Sequence, residues 1–180
     1  MVLTSVEFAA GSWLPFDSSY ESANRSPSLS WTDVPMGVRS YALTCQDQNG
    51  PDGQAWTHWL LWNIPATESR VLSGLAQYPR LDNGMEQGLN DYLDYGWSGP
   101  CPPLGVHEYI FTLYALDSDF SPTSASPASV ISELASVAMT TARLTALYGS
   151  GGHIMSLASI GQESRAAYRQ AVFLAQSRSA

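Results

Sequence analysis

Four side chains in this chain have types and positions suited to holding a small polar ligand: Asp47, His58, His107 and Tyr109. They lie in two short segments, LTCQDQNGPDGQAWTHWLLWNIP (Leu43 to Pro65) and GPCPPLGVHEYIFTLYALD (Gly99 to Asp117). Each joins a polar, Gly/Pro-rich turn to an apolar strand with a histidine near the strand's start. A rigid sheet can hold a loop-borne site at such a junction. Side chains alternate along a strand, so His107 and Tyr109 share one face and Glu108 takes the other. Two imidazoles, a phenol and the turn N–H groups between Cys101 and Gly105 suit a phosphate or carboxylate. Asp47 is placed to accept an N–H from an imidazole and fix its tautomer, and His58 is the expected partner. Each residue also has a plainer reading. His58 beside Trp59 can be a satisfied structural histidine, Tyr109 a core residue, and Asp47 a turn former.

Other chemistries find less support. No serine stands in a G-x-S-x-G elbow, so hydrolysis would rest on His58 and Asp47 as a weak general base. No H-E-x-x-H or close His/Cys spacing suggests zinc, and neither a P-loop nor G-x-G-x-x-G suggests a nucleotide motif. No cofactor or metal is expected. His153, after a glycine-rich run, reads as a strand start outside the site. Cys45 and Cys101 are too few for a disulfide scaffold and are expected to be reduced. Both flank the candidate site, however, and a redox-sensitive pair is the alternative if they meet the disulfide distance limits.

The elements that must position these groups follow from composition and pattern. At 180 residues the chain is long enough for one well-buried domain, and its 44% hydrophobic and 11% aromatic content is that of a globular core. All eight basic residues are arginine, and the formal charge of −8 opposes general binding to nucleic acid or anionic membrane. The N-terminus lacks the cationic and apolar regions of a signal peptide, and no run approaches the roughly 20 apolar residues of a membrane span. A soluble, cytoplasmic protein is expected. Strands are expected at Leu3–Phe8, around Leu29 and Trp31, at Ser40–Cys45, at Trp59–Ile64 and at Tyr109–Leu116, the last covered on both faces because its apolar residues do not alternate. Residues 66–98 read as a long loop region. Ser126-Pro127 opens a helix whose apolar positions are Val130, Leu134, Val137, Leu144 and Leu147. A final strand at Ile154–Ile160 and a helical tail at about 162–178 complete the reading. Strands first and helices last argue a mainly β fold.

The two segments together resemble the phosphatidylethanolamine-binding protein family, in particular its bacterial and archaeal Raf-kinase-inhibitor-like branch. The family's Asp-Pro-Asp-Ala-Pro turn stands here as Asp47-Gln48-Asn49-Gly50-Pro51, followed by Trp56-Thr57-His58-Trp59 and Asn63-Ile64-Pro65. Its second pattern stands as Gly99-Pro100-Cys101-Pro102-Pro103-Leu104-Gly105-Val106-His107-Glu108-Tyr109. Weaker matches at Asn24, Ser26-Pro27, Leu29, Trp31, Gln87-Gly88, Asn90-Asp91 and His153-Ile154 extend the resemblance over about residues 6–165. It implies a β-sandwich of two sheets with one or two peripheral or C-terminal helices, built as a single domain over residues 1–180. It also implies an anion pocket at Asp47, Pro51, His58, Cys101, Pro103, His107 and Tyr109, without catalysis. The ligand class would be a phosphate, a phosphoethanolamine-like headgroup, a nucleotide, a phosphopeptide or a carboxylate. A protein kinase or protease partner is the family's other implied role, and a homodimer is compatible with the tryptophan content. The chain departs from the family at Gln48 and Asn49, which remove one negative charge and a stiffening proline. It departs again at Glu108, which replaces arginine on the strand face away from the pocket.

Overall fold

The computed structural model describes residues 1–149. Along these residues the chain forms β1 (Val2–Thr4), β2 (Ser12–Trp13), β3 (Leu29–Thr32), β4 (Ser40–Asp47), β5 (Trp56–Pro65), β6 (Arg70–Val71), β7 (Glu86–Gln87), β8 (Val106–Leu116), α1 (Pro127–Val137) and β9 (Thr140–Gly149). Six strands make one sheet in the order β2-β9-β8-β4-β5-β7, and three make a second, β1-β3-β6. The fold is mainly β, a sandwich of two sheets with a helix outside it.

The large sheet is buried on both faces because its central strands carry apolar residues at odd and even positions alike. On one face Tyr41, Leu43, Trp59, Phe111 and Leu113 pack with Leu3, Leu29, Trp31 and Val71 of the small sheet. Trp31 and Tyr41 meet edge-on at 5.1 Å between ring centres. On the other face Ala42, Leu60, Trp62, Tyr114 and Leu116 pack with Phe120 and with Val130 and Leu134 of α1. Each fully buried large apolar side chain stabilises the fold by about 2–3 kcal/mol. The unalternating run of β8 is thus explained by its two covers.

Several elements differ from expectation. The first strand stops at Thr4 rather than Phe8, because its ladder ends at Thr4↔Ser30 and the Ser5 hydroxyl then bonds Ser28 O. Phe8 still enters the core, its ring 5.7 Å from Phe111. The helix ends at Val137, where Ala138 turns extended, so Leu144 and Leu147 belong to β9 instead. There Ala142, Leu144, Ala146 and Tyr148 face inward with period 2, and the strand pairs with β8 from Val106↔Gly149 to Ala115↔Thr140. Loop conformation dominates residues 66–98, broken only by β6, β7 and two bridges. The expected strand at Ile154–Ile160, the tail helix and His153 lie outside the described residues. No helix among those described is long and apolar enough to cross a membrane.

Candidate functional site

The ends of β4, β5 and β8 converge with the 88–99 loop at one edge of the sandwich. Asp47 is the last residue of β4 and pairs across the ladder with Tyr109 of β8 and Trp56 of β5. Its carboxylate is buried and divided between two tasks. Oδ1 accepts the Asn49 N–H at 2.8 Å, closing a local Asx turn, and Oδ2 meets His107 Nδ1 at 2.7 Å. Asn49 in turn accepts the Glu108 N–H on its Oδ1 at 3.0 Å, while Gln48 donates its N–H to Glu108 O at the same distance. The turn without the expected proline is therefore tied directly to β8. Alternation holds on β8: His107 and Tyr109 face the site, and Glu108 is exposed.

His58 reaches the site by a different device. Cys45 pairs with Trp59 and Gln46 with Thr57, which leaves His58 as the extra residue of a β-bulge in β5. Two consecutive side chains consequently turn to the same side. The His58 ring lies 6.2 Å from Trp97 and the Trp59 ring 5.8 Å from it. The bulge brings His58 to 5.2 Å from Tyr109, edge to face, and 5.3 Å from Tyr92.

Asp47 does not orient His58, contrary to expectation. His58 Nδ1 lies 2.5 Å from Ser98 O, and the Ser98 N–H returns a bond to His58 O at 3.0 Å. Ser98 is fixed by Asn90, whose Nδ2 donates to Ser98 Oγ at 2.9 Å and to Gly96 O at 3.1 Å. Asn90 Oδ1 accepts the Tyr92 and Asp94 N–H groups, so one fully buried amide shapes the loop. The 88–99 loop has no hydrophobic period to betray these roles. Only Asn90 carried a signal, as a weak family match; Tyr92, Trp97 and Ser98 carried none beyond adjacency to the second motif.

Burial sets the electrostatics. The His58 imidazole is driven down to about 4, mainly by desolvation, although the Ser98 carbonyl and the Asp47 charge pull the other way. His107 moves upward, chiefly through its bond to Asp47, with burial opposing. Burial pushes the Tyr109 phenol well up, helped by Asp47 and Tyr92, and does the same to the Cys45 thiol. Among the seven buried side-chain atoms of the described residues that meet hydrogen-bond geometry with no described group, two belong to this cluster, His58 Nε2 and the Tyr109 hydroxyl, the latter lying close to the Asp47 carboxylate.

The expected site residues thus divide. Asp47, His58, His107 and Tyr109 form one cluster. Pro51 opens the short 3-10 turn after it, half-buried. Cys101 is buried to the side, its Sγ 3.5 Å from Glu21 Oε1, and Pro103 is exposed on the turn before β8. Neither cysteine forms a disulfide. No group of three or more His, Cys, Asp or Glu side chains that could hold a metal converges among the described residues.

A family model described as phosphatidylethanolamine-binding protein matches residues 4–149. A UPF0098 protein of Methanothermobacter thermautotrophicus is 39% identical over 140 residues, covering 77% of this chain and 91% of that protein. The UPF0098 protein YbcL of Escherichia coli is 39% identical over 134 residues, 71% of this chain and 73% of its own length. The crystal structure of YbcL, described as a member of the mammalian phosphatidylethanolamine-binding protein family, superposes with a TM-score of 0.75 at 35% identity, over 82% of this chain and 97% of that one. A homologue from Chlamydia trachomatis gives 0.70 at 31% identity, over 81% and 95%. The chain belongs to the phosphatidylethanolamine-binding protein family.

Proposed function

We propose that this chain is a non-enzymatic binding protein whose pocket holds the phosphoryl or carboxyl end of a small ligand. Asp47, His58, His107 and Tyr109 form its floor, with Pro51, Cys101 and Pro103 around it. The observation that carries this reading is the pair of buried, unpartnered atoms, His58 Nε2 and Tyr109 OH, beside the Asp47–His107 bond. Buried polar groups are ordinarily satisfied, and leaving one unpaired costs about 1–3 kcal/mol. Two such groups together, next to an imidazole that gains a proton readily, are arranged for a ligand with polar oxygens. Access requires a neighbour to move. Of the three rings against His58, Trp97 and Tyr109 are fully buried and Tyr92 is half-buried, so the solvent side of the cluster is the side of Tyr92.

The test is a thermal-shift titration of the 180-residue chain with inorganic phosphate, phosphoethanolamine and acetate, alongside His107→Ala and Tyr109→Phe. A ligand bound only by the folded state raises the melting temperature by mass action. Concentration-dependent stabilisation that weakens in both variants supports the pocket; no shift in well-folded wild type refutes it. Incubation of phosphoethanolamine with the protein should release no inorganic phosphate.

A further inference from the structure

We infer that His58 is a specificity-determining residue that accepts, rather than donates, a hydrogen bond from the ligand, so that the pocket selects phosphoryl groups still carrying a P–O–H. Inorganic phosphate and protonated phosphomonoesters meet that requirement. Sulfate, phosphodiesters and ionised carboxylates do not. The inference rests on the anion-pocket reading above and narrows its ligand class.

The argument begins at a main-chain atom. A carbonyl oxygen can only accept, so the 2.5 Å contact between Ser98 O and His58 Nδ1 places the ring proton on Nδ1. The contact that sets the tautomer is fixed in place, because Ser98 also donates its N–H to His58 O and is itself bonded by Asn90. A second proton on the ring is disfavoured, since burial keeps His58 neutral down to about pH 4. The titratable groups that face it are Asp47 from β4, His107 and Tyr109 from β8, and Tyr92 from the 88–99 loop. None of them reverses this outcome. Nε2 is therefore a lone pair, buried and unpartnered.

Its neighbours have the opposite character. The Tyr109 hydroxyl stays protonated and can donate, and His107 supplies positive charge when protonated. One acceptor beside one donor and one cation matches a tetrahedral anion that offers both bare and protonated oxygens. A sulfate oxygen at the same place would set lone pair against lone pair. A site built to pair one ligand O–H rejects the analogue lacking it by at least about tenfold.

Calorimetric titration of the full chain at pH 5.5 and 7.5 with inorganic phosphate, methyl phosphate, dimethyl phosphate and sulfate tests this. Inorganic phosphate keeps a P–O–H at both pH values, whereas methyl phosphate loses it on passing its second pKa near 6. Phosphate serves as the reference that cancels the titration of His107. Methyl phosphate is expected to bind like phosphate at pH 5.5 and to fall behind it by roughly 20-fold at pH 7.5, the loss of its protonated fraction. Sulfate and dimethyl phosphate are expected to be at least about tenfold weaker than phosphate throughout. Equal binding of sulfate and phosphate overturns the role of His58 and leaves the anion pocket standing. Failure of all four to bind removes the pocket and this inference with it. An independent readout is the 15N spectrum of the His58 ring, expected to show the Nδ1–H tautomer from pH 5 to 8; an Nε2–H form or an imidazolium overturns the inference.

Discussion

Asp47 Oδ2 and His107 Nδ1 lie 2.7 Å apart across sixty residues of chain, joined because β4 and β8 are direct neighbours with Asp47 opposite Tyr109. The carboxylate is anchored first by its own turn, through the Asn49 N–H, and so presents its second oxygen at a fixed angle. This pair gives the site its one readily protonated group. His58, for all its proximity, is governed by a different partner and has the opposite acid–base behaviour.

Replacing Asp47 by Asn should lower the His107 titration midpoint, because the bond to Asp47 is the largest cause of its upward displacement. The sign for stability follows. A histidine raised in the folded state contributes stability fully present below its unfolded pKa of about 6.5 and lost as pH rises through the folded value. Asp47→Asn should flatten that part of the profile. NMR titration of His107 and urea melts from pH 5.5 to 8.5 check both.

His58 should act in the opposite direction. Its folded value of about 4 lies below the ordinary one, so the unfolded chain binds a proton that the folded chain refuses between about pH 6.5 and 4. Its contribution is complete above that window and falls as the solution is acidified, by up to about 3 kcal/mol. The stability difference between wild type and His58→Gln should drift toward the variant on going from pH 7 to 4.5. A difference that stays constant over that range contradicts the buried, neutral imidazole.

Tyr109→Phe should leave the melting temperature unchanged or slightly higher. The hydroxyl it deletes is buried beside the Asp47 carboxylate but out of hydrogen-bond geometry with any described group, so its removal costs little. Phosphate-induced stabilisation should drop in the same variant. A large loss of intrinsic stability would show instead that the hydroxyl is paired within the fold.

Gly99→Ala should be severely destabilising, by about 3 kcal/mol or more. A Cβ at Gly99 would stand 2.0 Å from Ser18 O and 2.7 Å from Tyr20 N, both main-chain atoms that cannot rotate away. The neighbouring Ser98 carbonyl would shift with it and release His58. Urea denaturation of the variant measures the first effect, and the ring-nitrogen spectrum of His58 the second.

The parts of this molecule legible in the sequence are those where one period runs unbroken. On β8, alternation placed His107 and Tyr109 together and Glu108 outside, and the unalternating apolar run gave its two covered faces. The second motif and the turn at Asp47 carried the family and with it the two-sheet fold. Leu144 and Leu147 sit near a helical repeat begun by Val130 and Leu134, and that spacing reads as helix. Alternation of Ala142, Leu144, Ala146 and Tyr148 against Thr141, Arg143 and Thr145 was the competing signal, and the ladder with β8 decided for it. The partner of His58 was not legible at all. It is a backbone carbonyl, which every residue possesses, positioned by a loop whose shape depends on Asn90.

The bulge at His58 has a consequence for how this chain tolerates changes in length. On one side of it β5 pairs Trp56 with Asp47, and on the other it pairs Trp59 with Cys45. Deleting a single residue there would let the two ladders run on in one register, and a regular strand would form at little expense to the sheet. The histidine's place against Trp97 and Tyr109 would then be lost, although every other chemical group of the cluster remained encoded. Under the proposed reading, ligand recognition would depend on residue count as well as residue identity, and a one-codon deletion there would separate the fold from the proposed pocket.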